Sequence, residues 1–176
     1  RSVQVNVDGA GQNIPGDAAN EPSLAVDPTN PNRIAVGWRQ FNTIASNFRQ
    51  AGRAYSKDGG NTWVNIGVFT PGIFRSDPVL EANAAGQIFY NSLQSNFLAD
   101  MFRSSDGGVT YFGPIPALGG DKVWSAIDKG LSVGRGHIYM AWNTAAGCCG
   151  TRTFTRSTDN GDTYEEPITL PNMPIF

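Results

Sequence analysis

The chain has 176 residues, 40% hydrophobic and 11% aromatic, which is enough for the core of one ordinary domain and too apolar for a disordered protein. Only 16% of residues are charged, the formal charge is -2 and no basic cluster occurs, so the counterion-release term behind nucleic-acid binding has nothing to act through. No apolar run approaches the roughly 20 residues that cross a bilayer, and no basic-then-apolar leader opens the chain, so a soluble protein is expected.

The sequence opens on Arg1 rather than Met, from which processing or truncation is expected. Val3-Gln4-Val5-Asn6-Val7 alternates apolar and polar residues, so residues 1–8 read as an edge strand with no sheet of its own. Pro22-Ser23-Leu24-Ala25-Val26-Asp27 and Arg33-Ile34-Ala35-Val36-Gly37-Trp38 then read as two strands joined by the turn Pro28 to Asn32. A third strand ends at Ser56, and Trp63 to Phe69 reads as a fourth.

The same order recurs twice. Pro78-Val79-Leu80-Glu81-Ala82-Asn83, the turn Ala84 to Gly86, and Gln87-Ile88-Phe89-Tyr90-Asn91-Ser92 are followed by a strand from Thr110 to Ile115. Val123-Trp124-Ser125-Ala126-Ile127-Asp128, a longer loop to Gly136, and His137-Ile138-Tyr139-Met140-Ala141-Trp142 are followed by a strand from Thr163 to Leu170. The 21 glycines and 11 prolines sit in short clusters between these runs, and no 3.6-residue periodicity competes, so the fold is expected to be all-β.

An eight-residue signature punctuates each repeat: Ser56-Lys57-Asp58-Gly59-Gly60-Asn61-Thr62-Trp63, Ser104-Ser105-Asp106-Gly107-Gly108-Val109-Thr110-Tyr111 and Ser157-Thr158-Asp159-Asn160-Gly161-Asp162-Thr163-Tyr164. All fit Ser-x-Asp-x-Gly-x-Thr-(Trp/Tyr), at a spacing close to the roughly 40 to 50 residues of a four-stranded propeller blade. The chemistry suits a hairpin corner. The Asp carboxylate accepts from the N–H groups of its own turn, Gly supplies a positive φ, and the Ser and Thr hydroxyls tie the ends. The aromatic residue packs under the turn. These residues are expected to be structural, because the acceptor capacity of each Asp is filled locally.

On these motifs the chain resembles the Asp-box (bacterial neuraminidase repeat) superfamily of sialidases, sortilin-type receptors and secreted bacterial proteins. The segments Glu21 to Pro28, Ser76-Asp77-Pro78-Val79 and Asp121 to Asp128 are similar to a secreted bacterial, sialidase-like subgroup. The resemblance covers residues 21 to 170. It implies a β-propeller of four-stranded antiparallel blades, here approximately 21–70, 76–118 and 121–171 within a single segment, 1–176. Propellers close with four to eight blades. Three blades therefore imply half of a six-bladed ring, completed by missing blades or by self-association; the chain stops at Met173 to Phe176 just where a fourth blade is expected to begin.

The resemblance also directs attention to one end of the strands. Sialidases bind a substrate carboxylate through arginines, whose planar fork donates two parallel hydrogen bonds. Arg39 ends a second strand and Arg75 precedes a first strand, but neither lies in the Arg-Ile-Pro type motif of the family, and surface pairing is the alternative. Glu21, Asp77 and Asp121 each start a first strand, the innermost in a propeller. They suit acid and base work or Ca2+ ligation, or else they cap loops and neutralise Arg39, Arg75 or Lys122. Trp38 and Trp142 end equivalent strands, where they either stack on sugars or fill the core.

Cys148 and Cys149, flanked by Gly147 and Gly150, form an adjacent disulfide or stay reduced; with His137 the sole histidine, a zinc site is not expected. The leading expectation is a secreted or cell-surface module that binds a glycan or a protein. An exo-sialidase with its remaining catalytic residues in missing blades, and a self-assembling extracellular structural protein, are the alternatives.

Overall fold

The computed structural model describes residues 2–171, which form three antiparallel sheets and no helix. The first sheet runs β1 (Ala18–Val26), β2 (Ile34–Phe41), β3 (Gln50–Ser56) and β4 (Val64–Val68), each strand pairing with the next. The second repeats the order with β5 (Ser76–Ala82), β6 (Ile88–Leu93), β7 (Ala99–Ser104) and β8 (Phe112–Pro116). The third comprises β9 (Trp124–Ile127), β10 (Ile138–Ala141) and β11 (Phe154–Ser157).

The expected last strand, Thr163 to Leu170, is reduced to one bridge between Ile168 and Phe154. Pro167 has no N–H to give a ladder, and around it only Glu165, which donates to the Arg156 carbonyl at 2.9 Å, and Ile168 pair with β11. Residues 3–8 also differ from the edge strand expected. Only Val7 pairs, bridging Asn13 in a hairpin, while Val5 packs against Trp38 and Val36 of the first sheet. The expectation attached to Met173 to Phe176 lies outside the described residues.

The first strands bring the sheets together: β1 packs beside β5, and β5 beside β9. Burial follows from that order. Every residue of β6, in the middle sheet, is buried, whereas β9 alternates exposed and buried because, among the described residues, only one of its faces is covered. A strand covered on both faces reads as the nearly continuous run Ile88-Phe89-Tyr90-Asn91-Ser92-Leu93, and a strand covered on one face alternates.

Two apolar interfaces result. Between the first and second sheets, small residues meet large ones, with Ala25, Ala35 and Ala51 against Leu80, Tyr90 and Phe102. Gly37 is obligatory there, since a Cβ at that position would lie 2.3 Å from Tyr90 Cε2. Tyr90 then reaches across to donate its hydroxyl to the Gly52 carbonyl, 3.0 Å away. Between the second and third sheets, Phe89 and Met101 pack on Ile127, Ile138, Met140 and Trp142.

Candidate functional site

Each sheet has a corner end, where its third strand finishes in the signature, and an entry end, where its first strand begins. At the corner end one hydrogen-bond pattern is built three times. The Ser56 hydroxyl donates to Asp58 Oδ1 (2.7 Å) and accepts from the Gly60 N–H (2.9 Å). Thr62 donates its N–H and its hydroxyl to the two oxygens of Asp58, at 2.9 and 2.6 Å. Ser104, Asp106, Gly108 and Thr110 repeat these contacts at 2.8, 2.9, 2.9 and 2.6 Å. Ser157, Asp159, Gly161 and Thr163 repeat them again.

Two consecutive left-handed residues turn each corner: Gly59-Gly60, Gly107-Gly108 and Asn160-Gly161. Trp63, Tyr111 and Tyr164 each lie beneath the signature glycine of their own corner. Hydrogen bonds from Thr62 and Thr163 pull the Asp58 and Asp159 carboxyls down to about 2. With their lone pairs occupied inside the turn, these carboxylates have little capacity left for a ligand.

The entry end is built on a different device. Glu21 within β1, Asp77 near the start of β5 and Lys122 just ahead of β9 occupy equivalent places, and all three are left-handed, with φ of 49°, 47° and 53°. The ladder slips beside the first two, between Asn20 and Ser23 and between Ser76 and Val79, so a bulge frees each residue from pairing. Pro22 and Pro78 follow, in positions where no N–H is needed for the ladder.

Three different side chains are thereby aimed at one another. Arg39, at the far end of β2, lies 2.9 Å from Glu21 and 3.9 Å from Asp77 and donates Nε–H to Asn20 Oδ1 at 2.8 Å. Lys122 Nζ lies 3.1 Å from Glu21 and 3.5 Å from Asp77. Two cations and two carboxylates thus link all three sheets. Burial pushes the Asp77 carboxyl up, but the Ser76 hydroxyl, Lys122 and Arg39 outweigh it and hold the group below the ordinary carboxylate range. Burial pulls the Lys122 ammonium down, yet Glu21 and Asp77 keep it above the ordinary lysine value. Both groups are charged at neutral pH. Around them opens a cleft of 370 Å³ walled by Pro22, Pro78, Val79, Val123 and Trp124.

The other residues singled out from sequence lie elsewhere. Asp121 is one place away from the equivalent position, and its backbone ties a loop, with N–H to the Ala146 carbonyl at 2.7 Å. Lys122 takes the third place where a third acid was expected, and it neutralises the pair. Among the described residues no group of three or more His, Cys, Asp or Glu side chains is arranged to hold a metal ion, and Glu21 and Asp77 take the other expected part, neutralising Arg39 and Lys122.

Arg75 is 5% exposed, held 2.7 Å from Asp100 and stacked 4.9 Å above the Phe102 ring, away from the cleft. Trp38 and Trp142 are core residues, buried over Gly52 and Gly120, where a Cβ would lie 2.3 Å from either ring. The exposed indole of this end belongs instead to Trp124, at 68%. Aligning Val123 to Asp128 on Pro22 to Asp27 identifies both Lys122 and Trp124. A search for carboxylates alone passes over them.

Cys148 and Cys149 are joined as a disulfide, with Cα atoms 3.7 Å apart. Cys149 is left-handed, and Gly147 lies so close to Gly120 that a Cβ on it would meet the Gly120 Cα at 2.5 Å. The Cys148 N–H donates to the Gly119 carbonyl at 3.1 Å, so the disulfide loop is laid against the segment that leads into Lys122.

No family model matches the chain, and no curated protein matches it significantly. Among solved structures, the chain is similar to a crystal structure of a protein of unknown function from Dyadobacter fermentans DSM 18053. The two are 16% identical, the match covers 92% of this chain and 76% of that one, and the TM-score is 0.45.

Proposed function

We propose that the three sheets are successive blades of a secreted, sialidase-like Asp-box propeller whose entry end binds a glycan. Support for the architecture comes from the three identical corners and from first strands that pack side by side, as radial blades require. The disulfide fits an oxidising, extracellular setting.

The binding reading rests on one observation: equivalent left-handed residues, in or just ahead of the first strand of each sheet, aim Glu21, Asp77 and Lys122 at a shared cleft beside Arg39. Carboxylates accept from vicinal hydroxyls, the Lys122 ammonium donates to ring and hydroxyl oxygens, and proline, valine and indole walls take the apolar face of a sugar. Two positive and two negative groups balance, so a neutral sugar meets no uncompensated charge. A sialic acid carboxylate finds a poorer site. Arg39 is already paired with Glu21, and Arg75 is buried against Asp100, so the arginine cluster that a sialidase needs is not assembled here.

Calorimetric titration with neutral oligosaccharides and with a sialylated one tests the reading. Binding of a neutral sugar is expected, lost in Lys122→Ala and in Asp77→Asn. Preference for the sialoside, turnover of a fluorogenic sialoside, or undiminished binding by both variants would contradict it.

A further inference from the structure

We propose that the Cys148–Cys149 disulfide positions Lys122, and that reducing it withdraws the Lys122 ammonium from Glu21 and Asp77, which makes the entry end sensitive to redox state. The inference stands on the support of one loop and holds whether or not a glycan binds.

Lys122 is held differently from its two equivalents. Strand residues on both sides of Glu21 pair with β2, and those on both sides of Asp77 pair with β6. Lys122 stands ahead of β9, where one bond of ladder type remains, from the Asn143 N–H to the Asp121 carbonyl at 3.2 Å. The disulfide loop supplies further support. The Ala146 carbonyl accepts from the Asp121 N–H at 2.7 Å, the Cys148 N–H donates to the Gly119 carbonyl at 3.1 Å, and Gly147 bridges Gly120. This contact is backbone on backbone, since a Cβ on Gly120 would lie 2.6 Å from the Ala146 carbonyl oxygen. A shift of the loop therefore passes straight to the segment that carries Lys122.

The loop, in turn, leans on its disulfide. None of residues 143–152 is buried, and Cys148 packs against the apolar core between the second and third sheets. Cys149 has a φ of 75°, a conformation that a Cβ disfavours. Ring closure onto Cys148 holds it there, and its carbonyl accepts from the Arg152 N–H at 3.1 Å to complete the turn. With the ring open, Cys149 has no such constraint, and the loop relaxes away from Gly119 and Gly120.

A dithiol supplies the two electrons. One of its thiolates attacks a cysteine sulfur, which breaks the S–S bond, releases the other cysteine and forms a mixed disulfide. Its second thiolate then attacks its own first sulfur, so the dithiol leaves as a cyclic disulfide and its two protons end on Cys148 and Cys149. Neither cysteine is buried, so the attack is not blocked by the core.

Asp77 reports where Lys122 stands. Burial raises its carboxyl, and Ser76, Lys122 and Arg39 together hold it below the ordinary carboxylate range, while Glu21 competes for both cations. Withdrawing Lys122 removes one of the opposing influences, so the midpoint rises. Titration of the Asp77 carboxyl by carbon NMR, on the whole chain with and without dithiothreitol, tests this, with intact mass confirming reduction. The Asp77 midpoint is expected to rise on reduction while those of Asp58 and Asp159 stay in place. The double variant Cys148→Ser, Cys149→Ser is expected to show the raised midpoint without reductant. Lys122→Ala is expected to show it too and to lose the response to the dithiol. An Asp77 midpoint that does not rise in the reduced protein, a rise that persists in Lys122→Ala, or a shift shared by Asp58 and Asp159 would overturn the proposal.

Discussion

The corner end and the entry end use the same backbone conformation for opposite purposes. At the corners, left-handed residues let a serine, an aspartate and a threonine satisfy one another, and the same side chains recur in all three sheets. At the entry end, left-handed residues at equivalent places carry glutamate, aspartate and lysine. What repeats without variation completes its bonding locally and acts as scaffold. What varies at a fixed position looks outward from its own strand and finds partners on other sheets.

This contrast can be broken most forcefully at Arg75, which belongs to the entry end by sequence and to the scaffold by burial. Asp100→Ala would leave its guanidinium buried without a counter-charge, so a loss of about 3 to 5 kcal/mol is expected in denaturant unfolding. A variant as stable as wild type would return Arg75 to the list of ligand-binding residues.

The next effect belongs to the corners. Asp106→Ala removes a charged acceptor of three hydrogen bonds, and a loss of about 2 kcal/mol is expected after allowance for its exposure. Acid should report the same bonds. The folded carboxyls of Asp58 and Asp159 lie at about 2, below the ordinary value of 3.8. Their contribution is therefore complete above the ordinary value and disappears as pH falls through about 2. Thermal melts taken down that range should decline, and Asp159→Asn should flatten the decline. An unchanged slope would mean that the corners do not hold their carboxylates as the geometry requires.

The smallest expected effect on stability lies at the entry end. Lys122→Ala removes a half-exposed ammonium from two ion pairs, and a change under about 1 kcal/mol is expected while sugar binding is lost. A large loss of stability with binding intact would invert the contrast.

The difference between the ends also explains what could be read in advance. The corners were legible because the Ser, Asp and Thr of each signature satisfy one another within eight residues. The first two strands of the middle sheet were legible from their apolar runs. The entry constellation was legible as Glu21 and Asp77 neutralising Arg39 and Lys122, but not in its geometry, because Lys122 sits at the third equivalent place and its partners come from other sheets. Trp38 and Trp142 share their positions with the small Ser92, and only the packing over Gly52 and Gly120 decides that they are core. The N-terminal hairpin was hidden for a similar reason: alternation at residues 3–7 fits a strand, but the contact that fixes Val5 is with Trp38, far along the chain.

Amide chemical shifts followed by NMR during addition of a neutral oligosaccharide test the division of labour most directly. Saturable shifts are expected at Glu21, Ser23, Asp77, Val79, Lys122 and Trp124, with the amides of Thr62, Thr110 and Thr163 unmoved. Shifts centred on the corners, or none at either end, would contradict it.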